Sequence, residues 1–140
     1  MTDLPHLDPA LIERFASIVG DKYALRDQAD IVPYLTEQRG LWHGSTALVL
    51  RPGSVDEVSR IMRLASETGT PVVPQSGNTG LVGGQVPDGS DSEIVLSLDR
   101  MTRIRAVDPE GYSLTAEAGA ILADVKNAAE AADRLFPLSL

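Results

Sequence analysis

The spacing of apolar residues along the chain predicts three amphipathic helices. The first begins at Pro9 with Asp8 as its cap, and the second begins after Ser54, where Glu57 completes a capping box. A glycine follows each of these two helices, and the third lies close to the end of the chain. Their apolar faces are formed by Leu11, Ile12, Phe15 and Val19 in the first, by Val58, Ile61, Met62 and Ala65 in the second, and by Ile121, Leu122, Val125, Ala128, Ala129 and Ala132 in the third.

Shorter apolar runs between and after these helices predict strands. A buried strand before the second helix and another after it form a compact βαβ unit, which implies parallel strands and a right-handed crossover. Two later runs alternate between apolar and polar residues and flank a turn, so they are expected to pair as a hairpin. The predicted strands are residues 47–50, 71–74, 93–98, 103–107 and 112–118.

These elements predict an α+β fold in one domain, residues 1–140. The domain consists of a small parallel βαβ lobe, residues 1–86, followed by a more antiparallel lobe, residues 87–140. Residues 27–35 are expected to be a short helical or irregular piece, because Pro33 interrupts them.

Composition and charge remove several function classes. Hydrophobic residues make up 43% of the 140 residues, which is enough for a real core. Twelve Lys and Arg against twenty Asp and Glu give a net charge of −8, which disfavours a nucleic-acid or anionic-membrane binder. The chain has no cysteine, no apolar run long enough to span a bilayer and no signal-peptide pattern at its start. We therefore expect a cytoplasmic protein.

The segment most informative about chemistry is residues 74–85, the glycine loop, which directly follows a predicted strand. It contains Gly77, Gly80, Gly83 and Gly84 but no Lys or Arg. Glycines allow a ligand close to the backbone, and successive N–H groups can converge on an anion. The spacing matches neither the P-loop nor the dinucleotide fingerprint. From composition alone, phosphate binding and an ordinary surface loop both remain open.

The residue order resembles a known family. Residues 74–84, Pro-Gln-Ser-Gly-Asn-Thr-Gly-Leu-Val-Gly-Gly, resemble the FAD pyrophosphate loop of the vanillyl-alcohol oxidase / p-cresol methylhydroxylase flavoproteins, especially the D-lactate, D-2-hydroxyglutarate and glycolate dehydrogenases. The resemblance continues in the same order over most of residues 30–140. Its other matching segments are 48–58, 96–104, 115–122 and 136–140.

This resemblance implies a p-cresol methylhydroxylase-type FAD-binding fold and a set of cofactor residues. The glycine loop would surround the FAD pyrophosphate, and two later segments would approach the rest of the cofactor. Asn78 stands where some relatives carry a histidine that attaches the flavin, so the resemblance implies non-covalent FAD. The implied residues are Pro74, Ser76, Gly77, Asn78, Thr79, Gly80, Leu81, Gly83, Gly84, Ala118, Gly119, Pro137 and Leu138.

The activity implied by the resemblance is oxidation of a D-2-hydroxyacid by hydride transfer to flavin N5. The relatives' second glycine-bearing FAD segment and their C-terminal substrate domain have no counterpart in these residues. We therefore expect an incomplete FAD-binding domain, inactive by itself and without a catalytic residue. The alternatives are a non-catalytic nucleotide or phosphate-binding module and an interaction domain that self-associates through the apolar residues 136–140.

The remaining candidate residues favour structural roles. Trp42 and His43 are expected to lie in a surface loop rather than beside a substrate, and His6 is expected to be solvated. Glu37 and Arg39 are expected to form a surface ion pair, with a substrate-side role for Arg39 as the alternative. Two isolated histidines do not predict a metal site.

Overall fold

The computed structural model describes residues 7–138. His6 and the last two residues of the apolar C-terminal end, Ser139 and Leu140, lie outside this range, so the predictions for them are not addressed. Within residues 7–138, four α-helices, two short 3₁₀ helices and six strands occur in the order α1 Pro9–Val19, a 3₁₀ turn Asp21–Tyr23, β1 Ala24–Leu25, α2 Gln28–Ile31, a 3₁₀ turn Val32–Tyr34, β2 Val49–Leu50, α3 Val55–Thr68, β3 Val72–Gln75, β4 Ile94–Ser97, β5 Ile104–Asp108, β6 Ser113–Ala116 and α4 Leu122–Ala131.

Four of the strands form one mixed sheet in the order β1-β2-β4-β3. β2 and β3 are both parallel to β4, and β1 is antiparallel to β2. The predicted βαβ unit is therefore present, but β4 lies between its two strands. β4 occupies this central position because all four of its residues are buried, so both of its faces need cover. The first sheet thus extends to Ser97, beyond the division near residue 86 that the sequence suggests.

The core has two faces, one on each side of this sheet. Alternate residues of β2 and β4 point in opposite directions, as expected for extended strands. Val49 and Val95 pack with Ile31 and Leu35 on the α2 side. The other face packs against α1 and α3 and contains Phe15, Leu48, Leu50, Ile61, Ile94 and Leu96.

The predicted caps of α1 and α3 are confirmed, but α3 differs from the prediction in one hydrogen bond at its start and in its buried face. The Asp8 carboxylate accepts a 2.7 Å hydrogen bond from the backbone N–H of Leu11, and the Ser54 hydroxyl accepts one from Glu57 at 3.2 Å. The Glu57 carboxylate, however, accepts from the N–H of Gly53, not from that of Ser54. Met62, predicted on the buried stripe, is 45% exposed, whereas Leu64 is buried.

The second sheet is the predicted hairpin of β5 and β6, with a register irregularity between Ile104 and Ala106. Its turn is held by the Asp108 carboxylate, which accepts a hydrogen bond from Gly111 at 2.9 Å. α4 follows and packs against β5. Of its predicted apolar face only Ala129 is buried, and Ile121 is 63% exposed. The hairpin and α4 thus leave an apolar edge beside the glycine loop.

Candidate cofactor site

The glycine loop leaves the carboxyl end of β3 with its backbone amides free. Among the residues that the structure describes, no acceptor is found for the N–H groups of residues 77–82. Buried or ligand-facing amides normally have partners, so a run of unpaired ones indicates contact with solvent or with a bound acceptor. Asn78 has a φ of 51° and Gly83 a φ of 80°, both in the left-handed region that redirects successive amides.

This loop forms one wall of a cleft of about 980 Å³. The opposite wall is the joint between β6 and α4. Five of the thirteen predicted cofactor residues line the cleft, namely Ser76, Gly77, Thr79, Leu81 and Gly119. The lining also includes residues that the sequence reasoning missed, namely Gln38, Asp99, Thr102, Ala120, Ile121 and Leu122.

Two of the lining residues that were not predicted, Asp99 and Thr102, could have been found from the topology of the sheet. Asp99 and Thr102 follow β4, and β4 is the parallel neighbour of β3. The carboxyl ends of parallel strands meet at one edge of a sheet, which brings the segments after them together. This inference needs the pairing of β3 with β4, which the sequence pattern did not supply.

Three other predicted glycines lie in the loop but do not line the cleft. A Cβ on Gly80 would come within 2.7 Å of the Gln85 side chain, and one on Gly83 would come within 2.8 Å of the Trp42 ring. Gly84 has no atom within 4 Å of such a Cβ. Gly83 therefore makes room for the Trp42 ring from outside the loop, whereas at Gly80 the flexible end of the Gln85 side chain can move aside.

Gly119 faces the cleft and is also tightly packed. Its N–H donates to the Met101 carbonyl oxygen at 2.9 Å. A Cβ at this position would lie 2.8 Å from that oxygen and closer still to the carbonyl oxygen of Leu98. Close approach of two backbone segments is sufficient to require glycine here. Ala118, the residue before it, is exposed and is not part of the cleft lining.

Pro137 and Leu138 are not brought to the cleft. They line a separate pocket of about 500 Å³ with side chains from the end of α4, including Lys126 and Glu130. Leu138 is 47% exposed. Pro74 lies within β3 and is exposed, at the start of the loop.

The Asn78 side chain points away from the cleft. Its Nδ2 donates to the Thr36 carbonyl oxygen at 2.9 Å, and its Oδ1 is buried without a donor among the described residues. The Gln75 side chain donates to the carbonyl oxygens of Tyr34 and Gln85 at 3.0 and 2.8 Å. Both side chains therefore tie the glycine loop to the segment that follows α2.

Glu37 corrects the expectation of a surface ion pair. Its carboxylate is fully buried and accepts 2.7 Å hydrogen bonds from the backbone N–H groups of Arg39 and Leu41. These hydrogen bonds, chiefly that from Arg39, hold the pKa of Glu37 below its ordinary value. Arg39 is half-exposed, with its Nε 3.6 Å from this carboxylate.

Trp42 and His43 do lie in a surface loop, as predicted. Trp42 is 53% exposed, but its ring covers Gly83. The His43 imidazole bonds to the Thr36 hydroxyl and to the Gly40 carbonyl oxygen, 3.1 and 2.8 Å away. This histidine therefore has a structural role within its own loop.

A second buried carboxylate, Glu117, lies beside the cleft joint. It accepts hydrogen bonds from the Arg103 side chain at 2.8 Å, from the Arg103 N–H at 3.0 Å and from Arg105 at 3.2 Å. These contacts, led by the Arg103 side chain, lower the pKa of Glu117 from 4.5 to about 2. The ion pair fixes the end of β6 next to Gly119.

The donor set fits a pyrophosphate-bearing cofactor. The cleft lining contains Gly77, Thr79 and Leu81, whose backbone amides are unpaired among the described residues, and the hydroxyl-bearing Ser76 and Thr79. Its opposite wall is largely apolar, which suits an aromatic ring system. The one ionisable residue in the described lining is Asp99, which is paired with Arg51 at 2.9 Å. Neutral donors dominate, so an anion would be held by dipoles.

Within residues 7–138 there is no group of three or more His, Asp or Glu that could hold a metal ion. Nor is any helix in that range both long and apolar enough to cross a membrane.

Comparison with known proteins identifies the family of this chain. A family model described as "FAD binding domain" matches residues 46–140. The chain is 35% identical over 136 residues to D-2-hydroxyglutarate–pyruvate transhydrogenase of Saccharomyces cerevisiae, covering 96% of this chain and 27% of that protein. It is 36% identical over 129 residues to a probable mitochondrial D-2-hydroxyglutarate dehydrogenase of Oryza sativa, covering 92% and 23%. The chain thus spans about a quarter of the length of these relatives.

The fold agrees with solved flavoprotein structures. Alkyldihydroxyacetonephosphate synthase superposes with a TM-score of 0.76 at 17% identity, covering 94% of this chain and 26% of that chain. p-Cresol methylhydroxylase superposes with a TM-score of 0.68 at 18% identity, covering 89% and 24%. At such identities the likeness concerns the fold, and it confirms the p-cresol methylhydroxylase-type prediction.

The expectation of a cytoplasmic protein is contradicted. The rice relative is named as a mitochondrial protein, and so is D-2-hydroxyglutarate dehydrogenase of Arabidopsis thaliana. The Arabidopsis protein is 33% identical over 134 residues, and the match covers 96% of this chain and 24% of that protein. The expectation rested on the lack of cysteine and of a signal-peptide pattern, and neither observation distinguishes these compartments.

The family model covers residues 46–140, which is most of the chain, and the fold agrees with it. The chain therefore belongs to the FAD binding domain family, with FAD as its cofactor, and it has the p-cresol methylhydroxylase-type fold.

Proposed function

We propose that this chain is the FAD-binding portion of a flavin-dependent dehydrogenase that oxidises a D-2-hydroxyacid. The observation that carries the proposal is the run of unpaired amides of residues 77–80, because two of these residues, Gly77 and Thr79, line a cleft whose opposite wall contains Gly119. The names of the yeast and rice relatives support the substrate class.

In this proposal the chain's residues bind and orient the cofactor. The backbone N–H groups of residues 77–80 and the hydroxyls of Ser76 and Thr79 donate to the pyrophosphate oxygens. Leu81, Ile121 and Leu122 supply apolar contact and exclude water from the cleft. Four residues shape the loop, namely Pro74, Gly80, Gly83 and Gly84. Ala118 connects Glu117, which Arg103 and Arg105 hold in place, to Gly119 in the cleft wall.

When bound, FAD would accept the hydride, which carries both electrons, from the 2-carbon of the substrate, and the proton of the substrate hydroxyl would go to a base. The described cleft offers no free base for that step, because its carboxylate, Asp99, is paired with Arg51. We therefore name no catalytic residue and expect no turnover from this chain by itself. Dye reduction by the chain with D-lactate or D-2-hydroxyglutarate would contradict this expectation.

We also propose that FAD is held without a covalent bond. The glycine loop has no histidine, and the chain has no cysteine. Asn78 has no nucleophilic atom to offer, and its amide nitrogen is already bonded to the Thr36 carbonyl oxygen. Acid precipitation is expected to release all flavin into the supernatant, and flavin retained in the pellet would contradict the proposal.

The test of the cofactor site is an FAD titration followed by flavin fluorescence, comparing the chain with Gly77→Ala and Gly89→Ala. A Cβ on Gly77 would meet only the Thr79 methyl group, at 3.9 Å, so the fold tolerates it while the cleft becomes narrower. A Cβ on Gly89 would meet nothing within 4 Å, and this residue lies outside the cleft lining.

We expect Gly77→Ala to weaken FAD binding about tenfold, which corresponds to about 1.4 kcal/mol, because the added methyl group narrows the cleft. We expect Gly89→Ala to leave FAD binding unchanged. Equal affinities for the two variants would contradict the site. Binding of ADP as tight as that of FAD would favour the nucleotide-binding alternative.

The substrate class needs a longer protein that carries these residues. There, D-2-hydroxyglutarate or D-lactate is expected to bleach the visible flavin absorbance under anaerobic conditions, and the L-enantiomers are not. Bleaching by the L-enantiomers alone would contradict the stereochemical part of the proposal.

A further inference from the structure

Residues 33–42, the 33–42 segment, lie along the glycine loop and contact it from β3 to Gly83. Gln75 and Asn78 donate side-chain hydrogen bonds to carbonyl oxygens of this segment, at Tyr34 and Thr36. Trp42 covers Gly83 at the other end of the loop. The loop is thus backed along its length by one stretch of chain between α2 and β2.

Arg39 makes the central contact. Its Nη2 donates to the carbonyl oxygen of Leu81, a residue that lines the cleft. Within the glycine loop itself, the side-chain hydrogen bond nearest this point is that from Gln85 to the Gly80 carbonyl oxygen, 2.7 Å long. Arg39 therefore reaches from outside to the part of the loop that bends over the cleft.

Glu37 fixes the position of Arg39. Its two carboxylate oxygens accept from the N–H groups of Arg39 and Leu41, which folds residues 37–41 into a tight turn. The Glu37 N–H donates to the Trp42 carbonyl oxygen at 3.3 Å, so the turn is closed as a small antiparallel unit. A fully buried carboxylate used for this purpose makes the turn rigid.

The loop needs such support because its sequence is flexible. Four glycines among residues 77–84 lose much conformational freedom when ordered, and the amides of residues 77–82 make no internal hydrogen bonds that would offset the loss. A ligand that had to order the loop would bind more weakly than one that found it already ordered.

We propose that Glu37 and Arg39 form a clamp that holds the glycine loop in its ligand-ready shape before FAD binds. Arg39 is a positioning residue that acts through the Leu81 carbonyl oxygen, and Glu37 is the support that aims it. The affinity part of this inference rests on the proposed function, namely that the loop binds FAD.

The experiment uses Trp42, the one tryptophan of the chain, as a probe that needs no cofactor. Trp42 is 53% exposed while it covers Gly83, so release of the segment raises its exposure. Arg39→Ala removes the bond to Leu81. Arg39→Lys restores one donor without the second contact to Glu37. Arg60→Ala is the matched control, because Arg60 is on α3 and pairs with Asp56 at 3.9 Å.

For Arg39→Ala we expect acrylamide quenching of Trp42 to rise by up to about twofold, with a red shift of its emission, as the half-exposed ring becomes exposed. If the loop then adopts its FAD-binding shape in only about one tenth of the molecules, the Kd for FAD rises about tenfold. Arg39→Lys is expected to recover part of both changes and Arg60→Ala to show neither. Glu37→Gln keeps one of the two acceptors and is expected to raise quenching by a smaller amount.

Unchanged quenching in both Arg39→Ala and Glu37→Gln would overturn the clamp. Increased quenching with unchanged FAD affinity would overturn the positioning role. If a longer protein that carries these residues is purified without flavin, the proposed function fails, yet the quenching comparison in the free chain still decides whether the clamp exists.

Discussion

Replacing Gly119 by alanine probes the joint on which the cleft depends. This glycine lies two residues after Glu117 and packs on the connection between β4 and β5. Its N–H donates to the Met101 carbonyl oxygen. The added Cβ would lie 2.8 Å from that oxygen and from the carbonyl carbon of Leu98. These neighbours are backbone atoms and cannot rotate away as a flexible side chain would. We therefore expect Gly119→Ala to force the two segments apart.

The cost follows from two contributions. Overpacking of a tight contact typically costs about 1–3 kcal/mol, and loss of the hydrogen bond to Met101 adds roughly 1 kcal/mol. The expected loss of unfolding free energy is thus about 2–4 kcal/mol. With an m-value of about 2 kcal/mol per molar, the urea midpoint falls by roughly 1–2 M.

Urea unfolding followed by circular dichroism measures this change, with Gly84→Ala as the matched control. Gly84 is also a predicted cofactor residue, but a Cβ there meets nothing within 4 Å. We expect its midpoint to stay within the effect of about 0.5 kcal/mol that is ordinary for surface substitutions. If Gly119→Ala unfolded at the same urea concentration as Gly84→Ala, the packing explanation for Gly119 would be refuted.

Two further predictions concern the ends of β6 and α3. The pKa of Glu117 is lowered to about 2 in the folded chain, so the unfolded chain binds more protons between about pH 4.5 and 2, and this carboxylate's contribution to stability is lost as the pH falls through that window. Glu117→Gln is expected to flatten the pH dependence of the urea midpoint there, relative to the exposed control Glu110→Gln, and equal slopes in the two variants would show that the ion pair does not form. Ser54→Ala removes the acceptor of the Glu57 N–H and is expected to cost about 1 kcal/mol. The same change at exposed Ser66 within α3 is expected to cost nothing, and equal thermal midpoints for the two serine variants would contradict the cap.

Local sequence signals were reliable where the determining contacts lie within a few residues. Asp8 and Ser54 cap their helices through hydrogen bonds to residues three positions further along the chain, and Asp108 closes its hairpin turn in the same way. Such contacts depend little on the rest of the molecule, so spacing predicts them. The predicted apolar face of α3 included Met62, which is exposed, and omitted Leu64, which is buried. The reason is that the direction in which α3 faces the sheet depends on partners from α1 and β4.

The lining of the cleft was predicted in part. The glycine loop stands out by composition and residue order, and Ser76, Gly77, Thr79 and Leu81 do line the cleft. Gln38 and Asp99 also line it but lie far from the loop in sequence, and no local pattern marks them. Pro137 and Leu138 were expected near the flavin, but they lie in a different pocket beside the end of α4.

The sequence by itself determined the helices and their caps, the hairpin, the neutral glycine loop and the resemblance that led to FAD. Only the tertiary structure placed β4 between β2 and β3, buried the carboxylates of Glu37 and Glu117, and set Gly119 against two backbone carbonyl groups. The physical reason is the range of the interactions. Caps and turns are closed by neighbours along the chain, whereas strand order and buried charge depend on groups that meet only when distant segments pack.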